Sequence, residues 1–207
     1  LNGRYNAIPF LGNLKDLKVQ NTIKIDSLVE ENIGKEEKID FRYCTEAYLE
    51  NLNIEMSELK DKISDLGDSM IAAGDKDKLR IHIHTNNPPE LFIRLNKYAE
   101  ILDQKADDML LQQAVKYRKK STTAILCDSI ADFPAEFRDK HQIHLLPLNI
   151  LVDGTNYLDK LTIDSQNFFE ILDKAEEFPS SAQQKIKKIE DKLNYLAENY
   201  ESIIAIT

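Results

Sequence analysis

The segment Leu79-Arg80-Ile81-His82-Ile83-His84-Thr85 constrains this chain more than any other. Leu79, Ile81 and Ile83 alternate with Arg80, His82 and His84. A period of two belongs to a β-strand with one apolar and one polar face. The run Gly74-Asp75-Lys76-Asp77 just before it is a turn signal, and Met70 to Ala73 reads as a short strand, so the spacing predicts a hairpin. The same alternation sends both imidazoles to one side of the sheet. Cys44 lies upstream in Phe41-Arg42-Tyr43-Cys44-Thr45, in a segment from Lys38 to Leu49 that also reads as a strand. Cys44, His82 and His84 would supply one sulfur and two nitrogens, a donor set that suits zinc. From spacing alone two readings stand side by side: a metal site, or three unrelated polar positions on a solvated sheet face.

Met56, Leu59, Ile63 and Leu66 recur at helical spacing, which predicts a helix over 57–66 with Ser57 as its N-cap and Gly67 as its stop. Asn86-Asn87-Pro88-Pro89 begins a second helix, with an apolar stripe of Leu91, Phe92, Leu95, Ala99 and Leu102. The order β-α-β-β-α predicts a small α+β domain of the zinc-binding type over residues 38–115. Residues 1–37 are polar and weakly patterned and read as a linker or N-terminal extension. Residues 103–122 are polar too. Their basic cluster, Lys116, Arg118, Lys119 and Lys120, reads as a solvated helix end or linker.

A second unit spans 121–207. Thr123 to Cys127 is an apolar strand, followed directly by Asp128-Ser129, and Pro134 starts a helix. Ile143 to Val152 reads as one long strand containing Pro147, and Asp153-Gly154 as a turn. Asp164 caps a helix carrying Phe168, Phe169, Ile171 and Leu172, and another helix carries Ile186, Ile189, Leu193 and Leu196. Strands alternating with helices predict an α/β lobe with a mainly parallel sheet. The final run Ser202 to Thr207 reads as a buried parallel strand and points to a piece of a longer protein. His141 and His144, at a helix-to-strand junction, read as structural.

Composition excludes several classes. A net charge of −9 speaks against a general nucleic-acid binder and against a polybasic membrane-surface protein. No run approaches the ~18 apolar residues of a transmembrane helix. No signal peptide is visible, and two distant cysteines look like reduced thiols, so a cytoplasmic protein is expected.

Tyr43-Cys44-Thr45-Glu46, Leu66-Gly67-Asp68-Ser69 and Ile81-His82-Ile83-His84-Thr85-Asn86 together resemble the middle domain of the bacterial fatty acid kinase catalytic subunit, of the dihydroxyacetone-kinase-like family. The resemblance implies zinc on Cys44, His82 and His84. It implies a structural role for that zinc, because the family's ATP and magnesium site lies in a separate helical domain that residues 1–37 are too short to contain.

Cys127-Asp128-Ser129-Ile130-Ala131-Asp132-Phe133-Pro134, Leu146-Pro147-Leu148-Asn149-Ile150, Asp153-Gly154 and Tyr157-Leu158-Asp159 resemble the first lobe of the DegV family of fatty-acid-binding proteins. The family's Thr/Ser-Ser-Gln-Pro-Ser run stands here as Pro179-Ser180-Ser181-Ala182-Gln183-Gln184. The resemblance implies that Ser180 and Ser181 donate to a fatty-acid carboxylate, with Asp128 and Ser129 as further pocket residues. A carboxylate buried beside a hydrocarbon tunnel needs such donors to offset desolvation. Ala182, Gln184, Lys185 and Ile130 depart from the pattern and leave fewer donors. The plain structural alternative makes Ser180-Ser181 a helix N-cap before Ile186 and Asp128-Ser129 a strand-to-helix cap.

The leading functional expectation is a lipid-handling protein linked to fatty acid phosphorylation. Its partners would be a fatty acid in the full-length protein and an ATP-binding kinase domain, and a second copy of the chain is a further candidate. No catalytic residue is assigned within the chain, and by itself it is expected to bind fatty acid weakly or not at all. A non-catalytic scaffold with a structural zinc and a degenerate acyl site is the alternative. A metal-dependent hydrolase at Cys44, His82 and His84 is a third reading, and no general base stands at a telling spacing.

Overall fold

The computed structural model describes residues 38–207, so the linker expected over 1–37 lies outside the described residues. The first half is a four-stranded antiparallel sheet covered on one face by two helices. Its strands are β1 (Tyr43–Glu50), β2 (Gly67–Gly74), β3 (Lys78–Thr85) and β4 (Glu100–Asp108), in the order β2-β3-β1-β4. The helices are α1 (Met56–Ile63) and α2 (Pro88–Asn96). The β2–β3 hairpin turns at residues 75–77 as expected, with the Asp75 carboxylate accepting from the Asp77 and Lys78 N–H groups.

The burial pattern follows the sequence alternation. Thr45, Ala47 and Leu49 of β1 and Leu79, Ile81 and Ile83 of β3 face inward and are buried against Leu59 and Ile63 of α1 and Leu91, Phe92 and Leu95 of α2. α2 has the expected start: the Asn87 side chain accepts from Glu90 N–H, and Pro88 and Pro89 fill the first turn, where a missing N–H does no harm.

Several boundaries move. α1 starts at Met56 with Glu55 at its N-cap position, so Ser57 lies inside the helix rather than capping it. A single 3₁₀ turn, Ser64–Leu66, follows, and Gly67 opens β2 rather than ending a helix. Its backbone is extended, and the glycine serves close approach: a Cβ there would lie 1.8 Å from the His84 carbonyl oxygen.

β4 was not expected. Ala99 and Leu102, assigned to the stripe of the second helix, lie beyond its end, and Leu102 is exposed within β4. The outward positions of β4 are Asp103, Lys105 and Asp107 and the inward ones include Gln104 and Ala106, so no apolar alternation marks it. The expected polar linker then forms α3 (Met109–Tyr117), capped by the Asp108 carboxylate on Leu111 N–H.

The second half holds β5 (Thr123–Asp128), α4 (Ala135–His141), β6 (His144–Leu146), β7 (Asn149–Val152), β8 (Thr155–Leu158), α5 (Ser165–Leu172), β9 (Ser180–Ala182), α6 (Ile186–Asn199) and β10 (Ser202–Ile206). Asp164 caps α5, accepting from Asn167 N–H. The long strand expected over 143–152 is broken. Pro147 carries no N–H for a ladder, and the chain passes there from one sheet to another. One sheet, β10-β5-β6, is parallel, and the other, β8-β7-β9, is antiparallel, so the lobe is mixed rather than mainly parallel. β10 is parallel to β5 but sits at the sheet edge with Ile204 and Ile206 exposed, not buried.

Two cores result. Tyr157 and Ile163 pack into the core of the first sheet with its helices, joined by the partly buried Ile150 and Phe168. Asn96 ties that seam, donating to Tyr157 Oη (3.2 Å) and accepting from Thr155 Oγ1 (3.0 Å). The second core sets Val115 of α3 and Leu196 of α6 against Ala124 and Leu126 of β5.

Candidate metal centre and acyl-carboxylate loop

β1 and β3 are antiparallel neighbours, with Cys44 opposite His84 and Glu46 opposite His82. Cys44, His82 and His84 therefore share the outward face of the sheet. Their donor atoms all lie within 4.8 Å of one another, with Cys44 Sγ 3.8 Å from His82 Nδ1. Zinc–sulfur and zinc–nitrogen bonds of ~2.3 and ~2.1 Å at a tetrahedral angle put the two donors about 3.6 Å apart. The trio fits such an ion in both chemistry and spacing.

The surroundings keep these groups uncharged in the absence of a cation. Burial, and then Asp107, push the Cys44 thiol up to about 12. Burial, and then His84, lower the pKa of His82. A bound cation reverses this preference by stabilising the thiolate and engaging the neutral imidazoles. The rest of the face is made of opposite charges: Arg80 on Glu46 (2.7 Å) and Lys105 on Asp107 (2.6 Å). Burial alone would lower Lys105, but Asp107 and Glu46 outweigh it and hold its pKa above the ordinary value.

Arg42 stands just before β1. Its guanidinium pairs with both carboxylate oxygens of Asp139 on α4 (2.7 and 2.5 Å) and with Asp108 at the end of β4 (2.5 and 3.0 Å). Asp139 is the leading cause that raises its pKa further. Sequence reading missed this cluster because its partners stand 66 and 97 residues away with no local pattern.

The DegV-like residues divide. Ser180 and Ser181 are exposed and lie in β9, paired with Leu151 and Ile150 of β7. They are not a helix cap: the N-cap position of α6 is Lys185, with no side-chain cap bond. Asp128 does cap, its Oδ1 accepting from Ile130 and Ala131 N–H (3.0 and 3.2 Å). Ser129 is buried, and its Oγ accepts from Leu148 N–H (3.1 Å). Leu148 leads directly into β7, so Ser129 and the β9 serines belong to one backbone network rather than to one cluster of touching side chains. Gln184, where the family pattern has proline, is buried. It donates to the Pro147 carbonyl (2.9 Å) and to Asn149 Oδ1 (3.1 Å), fastening the end of β9 to β7.

The two junction histidines are structural. His141 packs its ring on Phe137 (centroids 4.4 Å apart). His144 is buried on β6, with Nε2 2.9 Å from Tyr200 Oη. Among the described residues no helix is long and apolar enough to cross a membrane.

Residues 40–116 match the model of the FakA-like middle domain, the fatty acid kinase family, and residues 122–207 match that of the DegV family. The DegV protein of Bacillus subtilis is 31% identical over 83 residues, which is 40% of this chain and 30% of that protein. An uncharacterized protein of Staphylococcus epidermidis is 28% identical over 164 residues, 66% of this chain and 30% of that protein. The crystal structure of B. subtilis DegV, described as a fatty acid binding protein, superimposes with a TM-score of 0.39 over 41% of this chain and 30% of that one, at 31% identity. The chain thus spans about 30% of the length of these relatives. It joins, in one polypeptide, a middle domain of the fatty acid kinase type and a DegV family domain.

Proposed function

We propose that this chain is the fatty-acid-handling part of a system that phosphorylates fatty acids, with a structural zinc in its first half. The observation that carries the reading is the joining of the two family segments in a single chain. In it, the exposed Ser180 and Ser181 hydroxyls donate to the acyl carboxylate, held in place by the pairing of β9 with β7. Oriented donors of this kind offset the desolvation of a carboxylate lying beside its hydrocarbon tail. In the reaction, a carboxylate oxygen attacks the γ-phosphorus of ATP, ADP leaves, and an acyl phosphate forms. The groups that hold ATP are supplied by a kinase domain and not by the residues described above.

Cys44, His82 and His84 hold the zinc. Bound there, it cross-links β1 to β3 and converts three uncharged donors into a tether across the sheet.

The test is an acyl- and ATP-dependent assay on a protein that contains this chain together with its ATP-binding domain. Acyl phosphate should form, and Ser180→Ala/Ser181→Ala should weaken acyl binding by about tenfold or more, the size expected for lost bonds to a charged group. No acyl phosphate with any chain length overturns the enzymatic reading.

A second reading, a scaffold with a degenerate acyl site, is favoured by Ala182 and by Gln184, whose amide is spent on fastening β9. Lipid that copurifies with the longer protein decides against it.

A further inference from the structure

Leu66-Gly67-Asp68-Ser69 has no part in the site described so far. Three observations point it there. First, Gly67 lets β2 run tight against β3 beside His84, where any Cβ would meet the His84 carbonyl. Second, Asp68 pairs directly with His84 across the β2–β3 ladder, which puts the carboxylate on the metal face. Third, the ladder slips immediately afterwards, between Asp68 and Ile71, and Ser69 takes a left-handed backbone (φ 53°). A non-glycine residue with positive φ at a bulge is uncommon, and bulges of this kind re-aim a neighbouring side chain.

Asp68 Oδ1 lies 3.6 Å from His84 Nδ1. Among the described residues the donor cluster comprises only Cys44, His82 and His84. Asp68 is therefore a partner of one ligand and not itself a ligand.

We propose that Asp68 is a positioning residue that accepts the Nδ1–H of His84 and so presents Nε2 to the metal. This rests on the zinc reading above. Metal-bound histidines commonly need such an outer partner to fix tautomer and ring orientation. Closing 3.6 Å to a hydrogen bond of about 3.0 Å asks for ~0.6 Å of movement from a half-exposed side chain.

The test uses the 207-residue chain, zinc, and a competing chelator. Asp68→Ala should weaken zinc binding about 10–100-fold, and Asp68→Asn, which keeps a carbonyl acceptor, should weaken it less. Cys44→Ala should abolish binding. Long-range nitrogen NMR of the zinc form should show His84 bound through Nε2 with a proton on Nδ1 in the unmodified chain, and a loss of that single tautomer in Asp68→Ala.

If the unmodified chain binds zinc and both Asp68 variants bind it equally well with an unchanged His84 tautomer, the role of Asp68 falls and the zinc site stands. If the unmodified chain takes up no zinc, both fall. Should Asp68→Ala fail to fold, Asp68→Asn, of nearly the same size, decides: unchanged affinity and tautomer overturn the proposal, and a measurable loss supports it.

Discussion

Replacing His144 should remove a defined part of this protein's sensitivity to acid. His144 is 1% exposed. Burial, and then the nearby Lys192, lower its pKa to about 3. Tyr200 Oη meets Nε2, and the Tyr195 ring packs edge-on with its centroid 6.0 Å away. In the unfolded chain the same imidazole titrates near 6.5. Below that pH the unfolded state binds a proton that the folded state refuses. The contribution is therefore fully present above about pH 6.5 and is lost as pH falls towards 3, at about 1.4 kcal/mol per unit. Between about pH 7.5 and 4.5, roughly two of the three units lie below 6.5, which gives a loss of roughly 2.7 kcal/mol. With a urea m-value of about 2–3 kcal/mol/M, that is a midpoint shift of ~1 M.

His144→Gln keeps a hydrogen-bonding partner for Tyr200 and does not titrate. Urea unfolding of both proteins at the two pH values isolates the effect, because carboxylates contribute equally to each. The unmodified chain should lose ~2.7 kcal/mol more than the variant over this interval. Equal losses would refute the claim that this histidine is held neutral by burial.

Two further outcomes test the placement of the elements. Gly67→Ala should force β2 away from β3, since its Cβ would lie 1.8 Å from a backbone oxygen. We expect about 1–3 kcal/mol of destabilisation by urea unfolding, together with weaker zinc uptake. Arg42→Ala strands Asp108 and Asp139 on elements 66 and 97 residues away. With the three side chains partly exposed, the loss should be about 1–2 kcal/mol, and it should shrink in high salt. A loss that does not change with salt would count against an ionic origin.

Sequence alone determined the elements whose pattern is local. The alternation at Leu79–Thr85 set the inner and outer faces of β3, because successive side chains of a strand must point to opposite sides. Asn87-Pro88-Pro89 and Asp164 marked helix starts, because caps act within one turn. β4 escaped because Asp103, Lys105 and Asp107 face out while Gln104 takes an inward position, so the strand is specified by its partner β1 and not by its own composition. The break at Pro147 was visible as a residue, but the change of sheet that follows it was not. Ser180 and Ser181 looked like a cap from their place before a helix, and their pairing with β7 made them a strand.

The metal trio shows the same division. Two imidazoles on one face follow from periodicity. The meeting of Cys44 with His82 and His84, and of Asp68 with His84, follows from strand order and register. Those are set by the packing of the whole sheet on α1 and α2, which no short stretch of sequence contains.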